Sequence, residues 1–335
     1  MTLLAHYFPA VGFDDIHYLW YGVDVFFGIS GFLITAILLN TKSKADNKLH
    51  EIKNFFVRRV LRLFPAYYLL IIVFWLARNI LHLYMWNNHF NPYFFTYTPN
   101  FFFYLHPDQG SSSFNHLWSL GVEEQFYLAW PWIIVYMPQK WLRYFFLILI
   151  LIALVINYVY FDSHTVRNLP FSNFHTLGIG ATLAYFYCCA YESRIFVLFK
   201  QYKQTVLLLS LPLLLFFLLF SPFSVQFSTI PVNIFLCIVI ASFILCAVDG
   251  FKGSLGLATR NKFIQHIGQL SYGIYLYHMP VPDTIKAIAH FAGVTINFNQ
   301  YAVLWFLSFV LIVYALAWFS YNYFESYFLK LKEKF

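Results

Sequence analysis

The sequence predicts an all-α membrane protein, a polytopic transmembrane helical bundle of about ten helices, and three observations lead there. Of its 335 residues, 61% are hydrophobic and only 10% charged, with a mean hydropathy of +0.64. That balance excludes a water-soluble globular chain. Apolar runs near the roughly 20 residues needed to cross a hydrocarbon core recur at 19–40, 63–82, 117–137, 142–161, 171–190, 205–221, 230–248, 268–290 and 300–320. The basic residues, finally, alternate with those runs. With loop 41–62 placed in the cytoplasm, eighteen of the 21 Lys and Arg fall inside, and only Arg78, Arg167 and Lys286 fall outside. This is the positive-inside pattern, so the net charge of +7 reports topology and not a nucleic-acid partner. One membrane domain is expected over 1–335 with no soluble domain appended, and both termini are expected to be cytoplasmic in the intact protein.

Residues 1–12 are too short to span and read as the outer end of a truncated first helix, carrying His6 among apolar neighbours. A lone histidine on an apolar face is by default a packed, hydrogen-bonded one. In the next run Asp24, Gly28, Gly31 and Thr35 recur at i, i+4, i+7 and i+11, a small and polar face on a bulky helix. Such a face admits a close-packed neighbour or lines a channel; Asp24 favours the channel, because packing alone needs no carboxylate. Arg58, Arg59 and Arg62 then share one flank of a helix expected to end at Pro65. Membrane anchoring would explain basic residues here, but forked guanidinium donors suit phosphate oxygens better than the lysines used elsewhere in the loop.

No Lys or Arg occurs between Arg78 and Lys140, and 83–116 is rich in aromatics, Asn and His, which predicts a long external loop with a sugar-stacking rim. Its histidines lack metal-ligand spacing. The four cysteines, Cys188, Cys189, Cys237 and Cys246, lie within apolar runs without a CxxC pair, so no metal is assigned. The stretch from Asn115 to Pro131 places Glu123 and Glu124 inside a membrane-length segment. A carboxylate in hydrocarbon costs at least about 2.5–3.5 kcal/mol, so it persists where it faces protein or water. Adjacent helix positions point about 100° apart, so one is expected to line a working cavity and the other to pair elsewhere. From 138 to 265 packing is the default reading. Ser271, Tyr275 and His278 then lie at i, i+4 and i+7, a polar stripe that lipid contact does not require.

Four of these stretches, Gly22–Thr35, Arg58–Tyr68, His116–Pro131 and Ser271–His278, resemble in order the successive signatures of the acyltransferase-3 family of bacterial membrane O-acyltransferases. The resemblance implies transfer of an acyl group, most often acetyl, from cytoplasmic acyl-CoA to a hydroxyl of a cell-surface or lipid-linked glycan, of lipopolysaccharide O-antigen, exopolysaccharide or peptidoglycan type. It implies a bacterial inner-membrane location and acetyl-CoA as co-substrate, with no permanently bound cofactor. His6 matches the family's first-helix histidine, the catalytic base, with Asp24 or Glu123 to orient it. Arg58, Arg59, Arg62, Ser30 and Gly31 fall to the acyl-CoA side, through the Arg-x-x-Arg and Ser-Gly-Phe-Leu motifs. Trp118, His116, Glu124, Tyr275 and His278 are left to the acceptor or the pore. The family's basic residue ahead of the histidine would precede Met1, and Ser326-Tyr327 stands where relatives often have Arg-Pro. With no esterase-like domain, the chain is expected to reach its glycan directly or through a separate envelope partner.

Two rival classes share these features. A transporter or flippase of a glycan or lipid precursor would use intramembrane carboxylates and an aromatic rim without needing a base or a phosphate site. A catalytically silent scaffold would need neither. The charge pattern makes its own prediction: single cysteines at positions 46 and 108, in a cysteine-free background, should label only from the cytoplasm and only from outside, respectively. Reversed labelling would overturn the topology.

Overall fold

The computed structural model describes residues 21–44, 47–81, 91–109, 112–163, 165–220, 225–293 and 302–334. The helices are α1 (Gly22–Lys44), α2 (Lys48–Leu81), the short α3 (Asn91–Phe95) and α4 (Pro99–Leu105), α5 (Leu117–Tyr136), α6 (Gln139–Val159), α7 (Phe174–Cys189), α8 (Arg194–Phe220) and α9 (Val225–Val248). They continue through α10 (Gly253–Arg260), α11 (Lys262–Tyr277), α12 (Pro280–Phe291) and α13 (Ala302–Phe319), which runs through a π-helical turn, Ser320–Glu325, into α14 (Ser326–Lys332). Among the described residues there is no strand, so the all-α class holds. Among the described residues six candidate spans are long and apolar enough to cross a membrane: Gly22–Ser43, Lys48–Asn79, Gln139–Val159, Arg194–Leu219, Gln226–Val248 and Val303–Lys332. The protein is a multi-pass membrane protein. α5, with Glu123, Glu124 and Gln125, is not among the six.

The described residues divide into two compact units. One comprises Tyr21–Ile52 and Val122–Thr259. Its organising contact is α1 on α7, and small residues permit it. A Cβ on Gly180 would meet the Gly28 carbonyl oxygen at 2.0 Å, and one on Gly31 would meet the Leu177 carbonyl oxygen at 2.2 Å. Both distances are far inside van der Waals contact, so backbone lies against backbone. The glycines of that face therefore pack closely, while Asp24, at its start, borders a cavity. Around this seam Phe32, Leu183, Ala184, Leu236, Ile240 and Ile244 form the buried core. Two polar contacts tie α5 to α1. The Trp130 indole N–H donates to Thr35 Oγ1 at 2.8 Å, and Lys42 Nζ donates to the Ile134 carbonyl at 2.9 Å and to that of Met137. An ammonium is well placed there, because the last carbonyls of a helix lack intrahelical donors and carry its negative dipole end.

The other unit comprises Lys53–Gly121 and Arg260–Phe335. Segment 91–105 is pinned to α2 by the hydroxyls of Tyr67 and Tyr68, which donate to the carbonyls of Phe94 and Phe95 at 2.9 Å each. Tyr97 turns the chain at φ 61°, and its ring stacks on Phe64 and Tyr67 with centroids 5.1 and 3.9 Å away. α11 packs on α13.

Three expectations change here. Pro65 does not end its helix; it lies inside the 34-residue α2, and the Tyr272 hydroxyl supports the carbonyl of nearby Leu63 at 2.8 Å. Prolines are tolerated inside membrane helices when neighbours satisfy the backbone around them. The run 268–290 is not one helix, because it breaks at His278-Met279 before Pro280, which starts α12. Ser271 is exposed while His278 is buried, so the polar stripe is not continuous. The glycine seam yields a sharp test. Gly180→Val should abolish the monodisperse folded peak of detergent-solubilised protein, because overpacking against backbone costs upwards of about 1–3 kcal/mol. Gly268→Ala, with open space around its Cβ, should leave the peak and the melting temperature intact or slightly improved.

Candidate functional site

Within the first unit, α5 brings Glu123 against α1. Glu123 is 3% exposed, and its Oε1 accepts from the Ser30 hydroxyl and from the hydroxyl of Tyr127, one turn further along α5. Ser30 Oγ and Tyr127 OH are themselves 3.2 Å apart. A buried carboxylate is expensive unless its oxygens are hydrogen-bonded, and here two hydroxyls supply that support. The Ser-Gly-Phe-Leu stretch and the Glu-Glu-Gln-Phe-Tyr stretch, 93 residues apart in sequence, thus meet in one buried cluster. Glu124 points elsewhere and is half-buried, as the 100° offset requires. Gly31 lies next to Ser30 in the α1–α7 seam, where close packing by itself accounts for a glycine.

Asp24 has a different partner. Its Oδ2 accepts from Arg167 Nη2 at 2.8 Å, and the carboxylate is buried while the guanidinium is 36% exposed. Arg167 lies in the segment before α7, which side chains fasten in place. The Ser172 hydroxyl donates to the carbonyls of Val166 and Leu169, the Asn173 amide to those of Arg167 and Leu169, and the Asn157 amide to that of Ser172, each at 2.8 Å. Sequence reasoning counted Arg167 only as one of three outer cations. Its pairing with Asp24 was legible in principle, because a buried carboxylate at a helix end calls for a counter-ion and the charge pattern assigns few cations to that end.

The second unit gathers His116, Tyr275 and His278. The two imidazole centroids are 4.8 Å apart, and the Tyr275 ring lies 5.4 and 5.3 Å from them. Tyr275 OH donates to the His116 carbonyl at 2.9 Å and is 2.5 Å from Ser119 Oγ. His116 Nε2 faces the Leu276 carbonyl at 3.2 Å, and His278 Nδ1 faces that of Tyr275 at 2.5 Å. A carbonyl only accepts, so each of these nitrogens carries a proton. Both histidines are almost fully buried, and Trp118 is 9% exposed nearby on α5. A third buried carboxylate is Glu325, 7% exposed, which accepts at 2.8 Å from Ser320, itself accepting from Tyr277 OH at 2.9 Å. Its π-helical turn belongs to a class of distortion frequent at functional sites. The arginine flank lies within α2, with Arg58 and Arg59 half-buried, Arg62 exposed, and the Arg59 guanidinium 5.6 Å over the Phe55 ring. His6 lies outside the described residues.

A bundle of membrane-length apolar helices with buried, hydroxyl-supported carboxylates defines an integral membrane protein. The acyltransferase domain family matches residues 3–322, and the chain belongs to that family. It is similar to the peptidoglycan O-acetyltransferase OatA of Listeria monocytogenes, 30% identical over 281 residues, which cover 78% of this chain and 44% of that protein. It is also similar to the putative peptidoglycan O-acetyltransferase YrhL of Bacillus subtilis, 31% identical over 287 residues with the same coverage of each. A putative O-acetyltransferase of Staphylococcus aureus is 36% identical over 125 residues, 34% of this chain and 20% of that protein. The chain spans under half the length of the first two relatives. No solved structure matches it.

The Glu123 cluster makes a quantitative prediction. Ser30→Ala and Tyr127→Phe each leave the same oxygen short of a donor and should cost about 1–3 kcal/mol of unfolding free energy. Because they share that acceptor, the double variant should deviate from the sum by at least about 0.5 kcal/mol. Denaturation of the four proteins in one detergent measures it, and strict additivity would separate the two hydroxyls.

Proposed function

We propose that the protein is a membrane O-acetyltransferase that moves an acetyl group from cytoplasmic acetyl-CoA to a hydroxyl of a cell-envelope glycan of peptidoglycan type, in a bacterial inner membrane. The observation that carries this reading is the family match over residues 3–322, joined to relatives named as peptidoglycan O-acetyltransferases. In this reading Arg58, Arg59 and Arg62 hold the phosphates of CoA at the inner surface. The pantetheine arm, about half as long as a hydrocarbon core of roughly 30 Å, carries the thioester into the membrane. His6 accepts the proton of the acceptor hydroxyl, and the oxygen attacks the acetyl carbonyl. The carbon–sulfur bond then breaks, and the departing thiolate takes a proton to leave as CoA. The Ser30–Glu123–Tyr127 cluster supports the reading by holding a carboxylate and two hydroxyls beside the seam that the Ser-Gly-Phe-Leu motif builds.

The test is acetyl transfer from labelled acetyl-CoA by purified protein in nanodiscs, with thiol release and acylated glycan measured together. The wild type should release CoA with an acceptor present. Arg59→Ala and Arg62→Ala should raise the KM for acetyl-CoA roughly tenfold in a salt-sensitive way, and Arg62→Lys should rescue only partly, lacking the forked contact. His6→Gln should abolish transfer while acetyl-CoA still binds. Absence of thioester cleavage in the wild type would overturn the reading.

A further inference from the structure

The cavity beside Asp24 is not accounted for by the donor side of the reaction. It has a volume of about 380 Å³, at the small end of the roughly 300–1,000 Å³ typical of small-molecule sites. That is room for one ring and not for a chain. Its walls come from the start of α1, the end of α6, the segment before α7, and the facing ends of α8 and α9. All of these belong to the end of the unit that the charge pattern assigns to the outside.

Two side chains on this wall are supplied with hydrogen-bonding capacity that the protein does not use. His175 is 3% exposed; its Nδ1 donates to the Ser172 carbonyl at 2.9 Å, while its Nε2 has no hydrogen-bond partner among the described residues. With Nδ1 protonated, the neutral ring keeps its lone pair on Nε2. A buried acceptor left unmet is costly and calls for an explanation. Asn233, 9% exposed, likewise makes no side-chain hydrogen bond among the described residues. Asp24 and Arg167, paired across 2.8 Å, cancel as charges, yet the part-exposed guanidinium keeps further N–H donors. Tyr21 and Tyr160 add aromatic surface to the same wall.

An anion here would meet the Asp24 carboxylate, and a cation would meet Arg167. A fatty chain would leave the spare donors of Arg167 and the Asn233 amide unmet. The ligand class that suits all of these groups is neutral and rich in hydroxyls and amides. We infer that the cavity bounded by Asp24, Arg167, His175 and Asn233 is a subsite for one neutral sugar ring of the acceptor glycan, with the part-exposed Arg167 guanidinium and the Asn233 amide meeting its hydroxyls. The inference rests on the reading above for its acceptor but not for its geometry. On the orientation proposed there, the subsite opens towards the envelope, where the glycan arrives.

The experiment is titration of wild-type protein in nanodiscs with chitobiose, followed by saturation-transfer NMR, beside inorganic phosphate as a second probe. The sugar should bind and phosphate should not. Asn233→Leu should weaken sugar binding at least tenfold with the melting temperature unchanged. Asn233→Ala, which removes the same amide without adding bulk, decides the matter if Asn233→Leu fails to fold. Equal sugar affinity in wild type and Asn233→Leu, or binding of phosphate in place of sugar, would overturn the subsite. Sugar binding by a wild type that never cleaves acetyl-CoA would support the subsite and overturn the transferase reading alone. Transfer with an unchanged acceptor KM in Asn233→Leu would overturn the subsite and leave that reading standing.

Discussion

The backbone contact between α1 and α7 is the constraint on which the rest of the first unit depends. Gly180 and Gly31 remove the side chains that would hold the helices apart, and in a membrane such contacts must arise from packing, since lipid tails are as apolar as the helices themselves. Once α1 is held at that distance its register is set. Asp24 then reaches Arg167 at one end, and Ser30 faces the Glu123 carboxylate further along. Two polar sites of different chemistry thus depend on the same pair of missing Cβ atoms.

Much of this was legible in the sequence, because membrane helices announce themselves by composition and length. Among the described residues the apolar runs centre on single helices except 268–290, which divides at His278-Met279, and the different directions of Glu123 and Glu124 follow from helical geometry alone. The sequence could not show which of two adequate explanations applied at a given residue. A small, polar face reads equally as seam or channel, and three-dimensional neighbours decide each position. Pro65 marks a helix end by local rules, whereas its helix continues where tertiary hydrogen bonds surround the proline. The roles of Arg167, His175 and Asn233 are not visible in the sequence for a different reason: each is ordinary in its own stretch and gains meaning only from residues brought from other helices.

The second unit uses its polar residues in another manner. His116, Tyr275 and Ser119 are tied to one another and to backbone carbonyls near the break that precedes α12. Where a helix stops inside an apolar run, its last carbonyls need donors, and ring nitrogens and hydroxyls supply them close by. The π-helical turn after α13 shows the same economy, with Ser320 accepting from Tyr277 and donating to Glu325. Irregular backbone and buried polar side chains occur together here because each satisfies the other.

Lys42 belongs to the cluster of cations from which the charge pattern predicts the orientation of the chain, and in the folded protein its ammonium closes the end of α5. These two duties fall at different times. During insertion the charge is read by the translocation machinery and the bilayer while α5 has yet to emerge from the ribosome. Only after some ninety further residues have been made does its carbonyl partner exist. On the predicted topology, a single side chain would serve first as a charge signal and then as a helix cap, linking the order of synthesis to the final packing.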